Sequence, residues 1–434
     1  MLGKVHKAAL CAAFAFSTGP ALGAAATDAP STGTLTGGGR YIVHPADGAP
    51  VAAVALWYRA PSTGFDTKAA PGIGRLAAAA VAASQPITGT PLGRFVDELG
   101  GRIAVTSYPN SIAVSAIVPA DRASDVVHAM TVSFFAPVLT PAGLSLAQRD
   151  MAEEALYRTF NAEENIGDLL GHALFADGPA RYPVLGAPGD IKNISLGQVR
   201  AYAERAFRPA NAVLVVTGAV DPMVVSAAVP GRAGAPPLPE PELAAHAVPQ
   251  PAPVATSAAE RGVGLGWAGP AITDEREATA LDFITDYLFR ADTGAVQKTV
   301  VPTKAAITGK FVTYHDPGVV LITISGGDVE AARAVVDRAL KRVRQPLDAA
   351  TFGAARSAFE YHMLSDIQTP GELADTFGWY SVEGNPAYAP GAGGVRGKYF
   401  AAIAGLTPAF VAATAVKYFD RPGAVVAVTA RSTK

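Results

Sequence analysis

Residues 195–217 read SLGQVRAYAERAFRPANAVLVVT, and residues 407–429 read TPAFVAATAVKYFDRPGAVVAVT. The first stretch opens on Ser195-Leu-Gly-Gln198, a capping box in which the hydroxyl and the amide satisfy early helix donors. Val199, Tyr202, Ala203, Ala206 and Phe207 follow at i, i+3, i+4, i+7 and i+8, the spacing of one helix face. Arg208-Pro209-Ala210-Asn211 ends that helix, and residues 212–217 form an apolar, strand-like run. The second stretch repeats the plan. Thr407 is the cap, Pro408 takes the first helical position, and Val411, Ala415, Tyr418 and Phe419 make the stripe before a strand over 424–429. Val199/Val411, Phe207/Phe419, Ala212/Ala424 and Thr217/Thr429 are identical at this offset.

Further from these joins the duplication continues. Residues 139–144 (LTPAGL) correspond to 347–352 (LDAATF), each opening a long helix. Before each lie a strand and then a helix, over 120–135 and 329–343. Each half therefore reads strands, helix, strands, helix, helices, helix, strand. That order predicts an α+β fold of two homologous domains, each a mainly antiparallel sheet covered by helices on one face. Residues 230–253 hold eight prolines and read as a semi-rigid linker that enters neither sheet nor helix. The expected domains are 38–228 and 259–434, joined by a Pro-rich linker over 229–258.

Half of the 434 residues are apolar, 17% are charged, and the formal net charge is −2, which excludes a disordered chain. No Lys/Arg-rich run occurs, so no nucleic-acid partner is expected. Lys4 and Lys7, an apolar core over 8–16 and Ala21-Leu22-Gly23 form the pattern of a secretory signal peptide over residues 1–23. A flexible segment over 24–37 would follow it. No integral membrane segment is expected after cleavage, because no run of 18 apolar residues remains. The expected location is the periplasm, or outside the cell. Cys11, the only cysteine, would leave with the signal, taking disulfide, thiol nucleophile and cysteine-held metal with it.

Residues 207–221 (FRPANAVLVVTGAVD) resemble the stretch that closes the first domain of the M16 peptidases, the pitrilysin and insulinase-like zinc enzymes. Gly178-Pro-Ala-Arg-Tyr182-Pro183 with Gly186, and Phe95-Val-Asp-Glu-Leu-Gly-Gly101 with Thr106-Ser107, are similar to further segments of that family in the same order. The resemblance covers about residues 38–434 and implies two LuxS/MPP-like α/β-sandwich domains of the half-length bacterial type. It also implies a catalytic motif Gly-x-x-His-x-x-Glu-His, whose two imidazoles share a helix face and a Zn²⁺ while the Glu contacts the bound water.

This sequence has Gly72-Ile-Gly-Arg75-Leu-Ala-Ala78-Ala79 at that place. Arg75 stands at the first ligand, Ala78 at the base and Ala79 at the second ligand, so no catalytic residue is expected. His44, His128, His172, His246, His315 and His362 are too far apart for one helix to carry a pair. Each is expected to be a surface or hydrogen-bonded histidine. The resemblance places the third ligand at Glu153-Glu154, with Glu154 the residual candidate. These carboxylates and Glu163-Glu164 read more simply as a solvated acidic face. If Arg75 faces Glu154, a buried guanidinium–carboxylate pair would replace the metal.

Many relatives use an Arg and a Tyr of the second half to hold substrate; the matching window, residues 294–308, has neither, though Arg290 and Tyr314 flank it. Gly262-Val-Gly-Leu-Gly-Trp267 fits strand alternation better than a dinucleotide site. The resemblance thus implies a non-catalytic subunit of a periplasmic heterodimer, with no cofactor in this chain. Zinc would sit in an active M16 partner, and the two would enclose an unfolded peptide. The alternative is a stand-alone structural or peptide-binding protein of the same fold, without peptidase activity.

Overall fold

The computed structural model describes residues 30–430 apart from 47, 67, 85, 88, 224, 226–228, 230–235, 252–254 and 391–396. The expected signal peptide with Cys11, and residues 24–29 of the segment after it, lie outside the described residues.

In the first half, strands β1 (Ser31–Thr34), β2 (Arg40–Pro45), β3 (Val51–Arg59), β6 (Arg102–Ser107), β7 (Ser111–Pro119) and β8 (Ala212–Gly218) make one sheet. Its order is β1-β2-β8-β3-β7-β6, antiparallel except for β2 beside β8. A short hairpin, β4 (Pro86–Ile87) and β5 (Thr90–Pro91), stands apart. The helices are α1 (Ile73–Ser84), α2 (Leu92–Glu98), α3 (Ala123–Phe135), α4 (Pro141–Phe160), α5 (Ala162–Leu174), α6 (Pro188–Ile191) and α7 (Leu196–Ala206).

The second half repeats the scheme with β9 (Ala255–Ala258), β10 (Gly262–Ala268), β11 (Ala306–Val312), β12 (Val319–Ser325) and β13 (Ala424–Ala430), in the order β11-β12-β10-β13-β9. Its helices are α8 (Glu275–Phe289), α9 (Ala295–Val300), α10 (Val329–Arg342), α11 (Ala349–Ser365), α12 (Pro370–Val382), α13 (Lys398–Ala404) and α14 (Pro408–Phe419). Among the described residues no single helix is long and apolar enough to cross a membrane.

The caps fall in matching register. Ser195 and Gln198 form the expected box, and Thr407 accepts from Phe410 N with Pro408 at the first turn. Thr140 and Asp348 cap α4 and α11, and Asn161 and Thr369 cap α5 and α12. In each case a side-chain oxygen takes a backbone N–H that the helix itself leaves unbonded.

Three expectations change. Residues 31–34, assigned to the flexible segment 24–37, form β1 and pair with β2 in antiparallel register. The linker 229–258 does enter a sheet: β9 lies parallel to β13, in the proline-free stretch where a strand can offer its N–H groups. Phe175 and Ala245 add an isolated bridge from the same linker to the first half. Finally, helices cover both faces of each sheet, and the second cover comes from the other half. Helix α12 packs on β3 and β8, while α5 packs on β10, β12 and β13.

Strand β3 records this double cover. Val54, Leu56 and Tyr58 point into the core of the first half, and Ala53, Ala55 and Trp57 into a core shared with Phe377 and Ala374 of α12. Both faces are dry, so VAAVALWY shows no polar alternation. The glycines of β10 follow from the same contact. A Cβ on Gly264 would lie 2.3 Å from Ile166 of α5, and one on Gly266 would lie 2.9 Å from Leu174. Backbone approach by a packed helix, and no dinucleotide, explains that run.

Candidate functional site

Helix α1 packs on α4, and this contact is where the catalytic motif would stand. Leu76, Ala77, Ala78, Ala80 and Val81 are buried, so the helix is held by small apolar side chains. Arg75 and Ala79, one turn apart, occupy the partly exposed face. Gly72, at φ +88°, starts the turn into α1; a Cβ there would lie 2.2 Å from the Leu185 carbonyl oxygen.

Arg75 Nη2 donates to Glu154 Oε2 at 3.2 Å, so the two residues aligned by the motif do meet. The pair is not buried: the Arg75 side chain is 18% exposed and that of Glu154 is 51%. The donor set does not fit a zinc ion. A guanidinium fills the first ligand position and already neutralises the remaining carboxylate, Ala79 carries no lone pair, and Ala78 faces the core. Among the described residues no group of three His, Cys, Asp or Glu side chains is placed to hold a metal.

The acidic residues nearby are engaged more than a solvated face would be. Arg158, one turn beyond Glu154, pairs with Glu164 and with Asp168, the latter through Nη2 at 2.8 Å. Burial works against the Arg158 charge, but Asp168, Glu164 and Glu154 outweigh it and raise its pKa. Glu163, also in the first turn of α5, contacts the second half: its Oε1 accepts from Thr308 Oγ1 of β11 at 2.9 Å. Glu153 is exposed on the same helix. The charge order Arg75–Glu154, Arg158–Glu164/Asp168 is legible only in part: Glu154 and Arg158 stand at i, i+4, whereas Asp168 reaches Arg158 because Asn161 caps α5 and turns the chain back.

Beside this network lies a cleft of about 230 Å³ between the halves. Tyr108, Arg158, Asp168, Tyr182, Lys310 and Tyr314 are among its walls. Two sheet edges border it, β6 through Ser107 and β11 through Thr308 and Lys310. The N–H and C=O groups on the outer side of an edge strand are free to pair with an extended chain. Such a cleft can bind an extended chain.

Arg290 is held by Asp366 through two bonds of 2.6 and 2.7 Å, so it is not free to grip a substrate. Tyr314 is buried in the cleft wall against Trp379. His362 bonds Asp286 at 2.8 Å, His315 lies near Glu240 and Glu383, and His172 approaches Arg181, whose charge adds to burial in lowering its pKa. His44 and His128 lie on β2 and α3, and His246 lies in the linker.

Residues 193–359 match the family model described as the Peptidase M16 inactive domain. The match runs from the end of the first half through the linker into α11. No curated protein matches in sequence. In structure the chain is similar to a protease from Helicobacter pylori, at 16% identity and TM-score 0.81 over 92% of this chain and 99% of that one. It is similar also to a peptidase M16 inactive domain from Pseudomonas fluorescens, at 16% identity and TM-score 0.73 over 93% and 98%. A chain of Complex III2 from Candida albicans with Inz-5 bound aligns at 13% identity and TM-score 0.75 over 92% and 95%. At these identities the likeness is one of fold. The M16 resemblance therefore holds for the architecture over most of the chain, and in sequence within residues 193–359.

Proposed function

We propose that the chain is a non-catalytic M16 homologue that acts as the structural subunit of a periplasmic heterodimer, its partner an M16 chain that carries the His pair, the Glu base and the zinc. The observation that carries this reading is the Arg75–Glu154 ion pair, a fixed positive charge where relatives would bind a metal. This chain would supply part of the wall of a chamber enclosing an unfolded peptide. The outer side of β6, with no strand beyond it among the described residues, offers a place for that peptide to add itself by backbone hydrogen bonds. Export rests on residues 1–23, whose charged, apolar and small-residue segments have the form of a cleavable signal.

A second reading is a stand-alone structural or peptide-binding protein of this fold, favoured by the likeness to a chain of Complex III2. One experiment separates the readings. The full chain is purified from its native cells by a mild affinity step, and the eluate is analysed for zinc, for peptide hydrolysis and for a second subunit. The proposal expects a partner with an intact His-x-x-Glu-His helix, carrying all the zinc and activity. Hydrolysis by the isolated recombinant chain, lost with a chelator and regained with Zn²⁺, would overturn it. Recovery of the chain alone, inert and metal-free, would favour the second reading.

A further inference from the structure

The first half, the linker and the second half converge at the C-terminal end of α12. Arg59, at the end of β3, donates from Nε and Nη2 to the Val382 carbonyl at 3.2 and 3.1 Å, and Arg40 of β2 donates to the Ser381 carbonyl at 3.1 Å. These are last-turn carbonyls with no partner inside the helix, and cations suit that end of its dipole. Glu240 of the linker joins Arg59 at 2.8 Å and His315 Nε2 at 2.7 Å. His315 Nδ1 donates in turn to the Glu383 carbonyl at 3.0 Å.

Glu383 sits at the centre of this junction and is fully buried. Its Oε2 accepts from Asn110 Nδ2 at 2.9 Å and from the His315 backbone N–H at 2.7 Å. The other oxygen of each member of that side-chain pair, Glu383 Oε1 and Asn110 Oδ1, is buried and meets no donor. Two unpaired acceptors on two groups already bonded to each other are costly unless a proton lies between them.

We propose that Glu383 is held as a neutral carboxylic acid whose Oε1–H bonds Asn110 Oδ1, an acid–amide pair that fastens α12 to the first half and loosens when its proton is lost to solvent. Asn110 belongs to the turn between β6 and β7, and Glu383 to the second half, so the pair spans the junction. The inference stands whether or not the chain has a zinc-bearing partner.

The surroundings act in the same sense. Burial, the largest effect, raises the Glu383 pKa to about 7, and the neighbouring Glu240 carboxylate adds to the rise; Asn110, the His315 N–H and Arg59 oppose it. The other groups facing it are Tyr108 and Tyr314, whose hydroxyls are neutral here because burial pushes both pKa values up, Tyr108 to about 12. Arg40 lies beyond, at Ser381.

An acid whose pKa is raised in the closed state favours closure fully below its ordinary pKa of 4.5 and loses that contribution as pH climbs to about 7. The opening constant of α12 should then rise close to tenfold per pH unit across that window and level off above it. Amide hydrogen exchange of residues 370–382 in the full chain, corrected for intrinsic pH dependence, reads this opening directly.

Glu383→Gln keeps an N–H donor for Asn110 Oδ1 at every pH, so its corrected profile should be flat above about pH 6, where Asp375 of the same helix, its pKa raised by burial to about 6, no longer contributes. Asp282, raised to about 7 by burial, gives an infrared carboxylic-acid band in both chains, so the Glu383 band should appear as a parent-minus-Glu383→Gln difference lost near pH 7. Identical exchange profiles in both chains, or no such difference band, overturn the proposal. Should Glu383→Gln not fold, Glu240→Gln serves instead: removing that charge should move the midpoint to lower pH, and an unmoved midpoint refutes the acid–amide pair.

Discussion

At the residue scale, two arginines eighty-odd positions apart in sequence do different work on one face of α4. The Arg75–Glu154 pair has its carboxylate half in water, where solvent screening leaves an ion pair worth about 0–1 kcal/mol. Arg158 is held by two acids, with bonds to both oxygens of Asp168 at 3.2 and 2.8 Å and less than a quarter of its side chain exposed. Truncating it would leave the partly buried Asp168 carboxylate without its partner, and hydrogen bonds to charged groups are each worth ~1.5–3 kcal/mol. In urea titrations Arg75→Ala should therefore lower the unfolding free energy by no more than about 1 kcal/mol, and Arg158→Ala by ~2–3 kcal/mol. Equal losses would mean that the Arg75 pair is as structural as its neighbour. That contrast bears on the proposed function: a surface pair at the position where the motif resemblance would put a metal ligand is replaceable, and is no fold-holding bridge.

At the element scale, the helices that cross between halves impose small side chains on what they cover. A Cβ on Gly378 of α12 would come within 2.0 Å of Trp57 Nε1, and one on Gly264 within 2.3 Å of Ile166. Overpacking of a filled core typically costs about 1–3 kcal/mol. Gly378→Ala and Gly264→Ala should each lower the melting temperature, whereas Gly353→Ala, in open space on α11, should hold or raise it. A neutral Gly378→Ala would show that α12 does not bear on β3 as tightly as described. The sequence made α4, α7, α10 and α14 legible because caps and apolar stripes are local, as at Ser195, Gln198 and Thr407. It could not show where α5 goes. The stripe of Ile166, Leu170 and Leu174 states that one face is buried, but a period of 3.6 residues is silent about which sheet buries it. The Arg75–Glu154 contact was legible through the family resemblance alone. Asp168 and Asn110 were not, since their partners depend on how turns and halves come together.

At the scale of the whole molecule, the exchange of α5 and α12 makes each half a part of the other's core. Without the second half, Ala53, Ala55 and Trp57 of β3 and Val213 and Val215 of β8 would form a bare apolar face; all five are buried in the core shared with α12. Without the first half, the glycine-lined face of β10 would lose Ile166, Leu170 and Leu174. Exposed apolar faces of that kind associate or aggregate, so neither half should behave as an autonomous domain despite its own sheet and helices. Residues 24–229 and 236–434 produced as separate chains provide the test. Each alone should bind a hydrophobic dye and sediment as aggregate, and co-refolding should return a one-to-one complex with the circular dichroism of the intact chain. Two soluble monomers, each melting cooperatively with no dye bound, would contradict the exchange. The outcome matters for the proposed chamber, because a wall made of two independent domains could hinge at the linker. Halves that each complete the other's core should instead present the edge of β6 and the cleft beside it as one fixed surface.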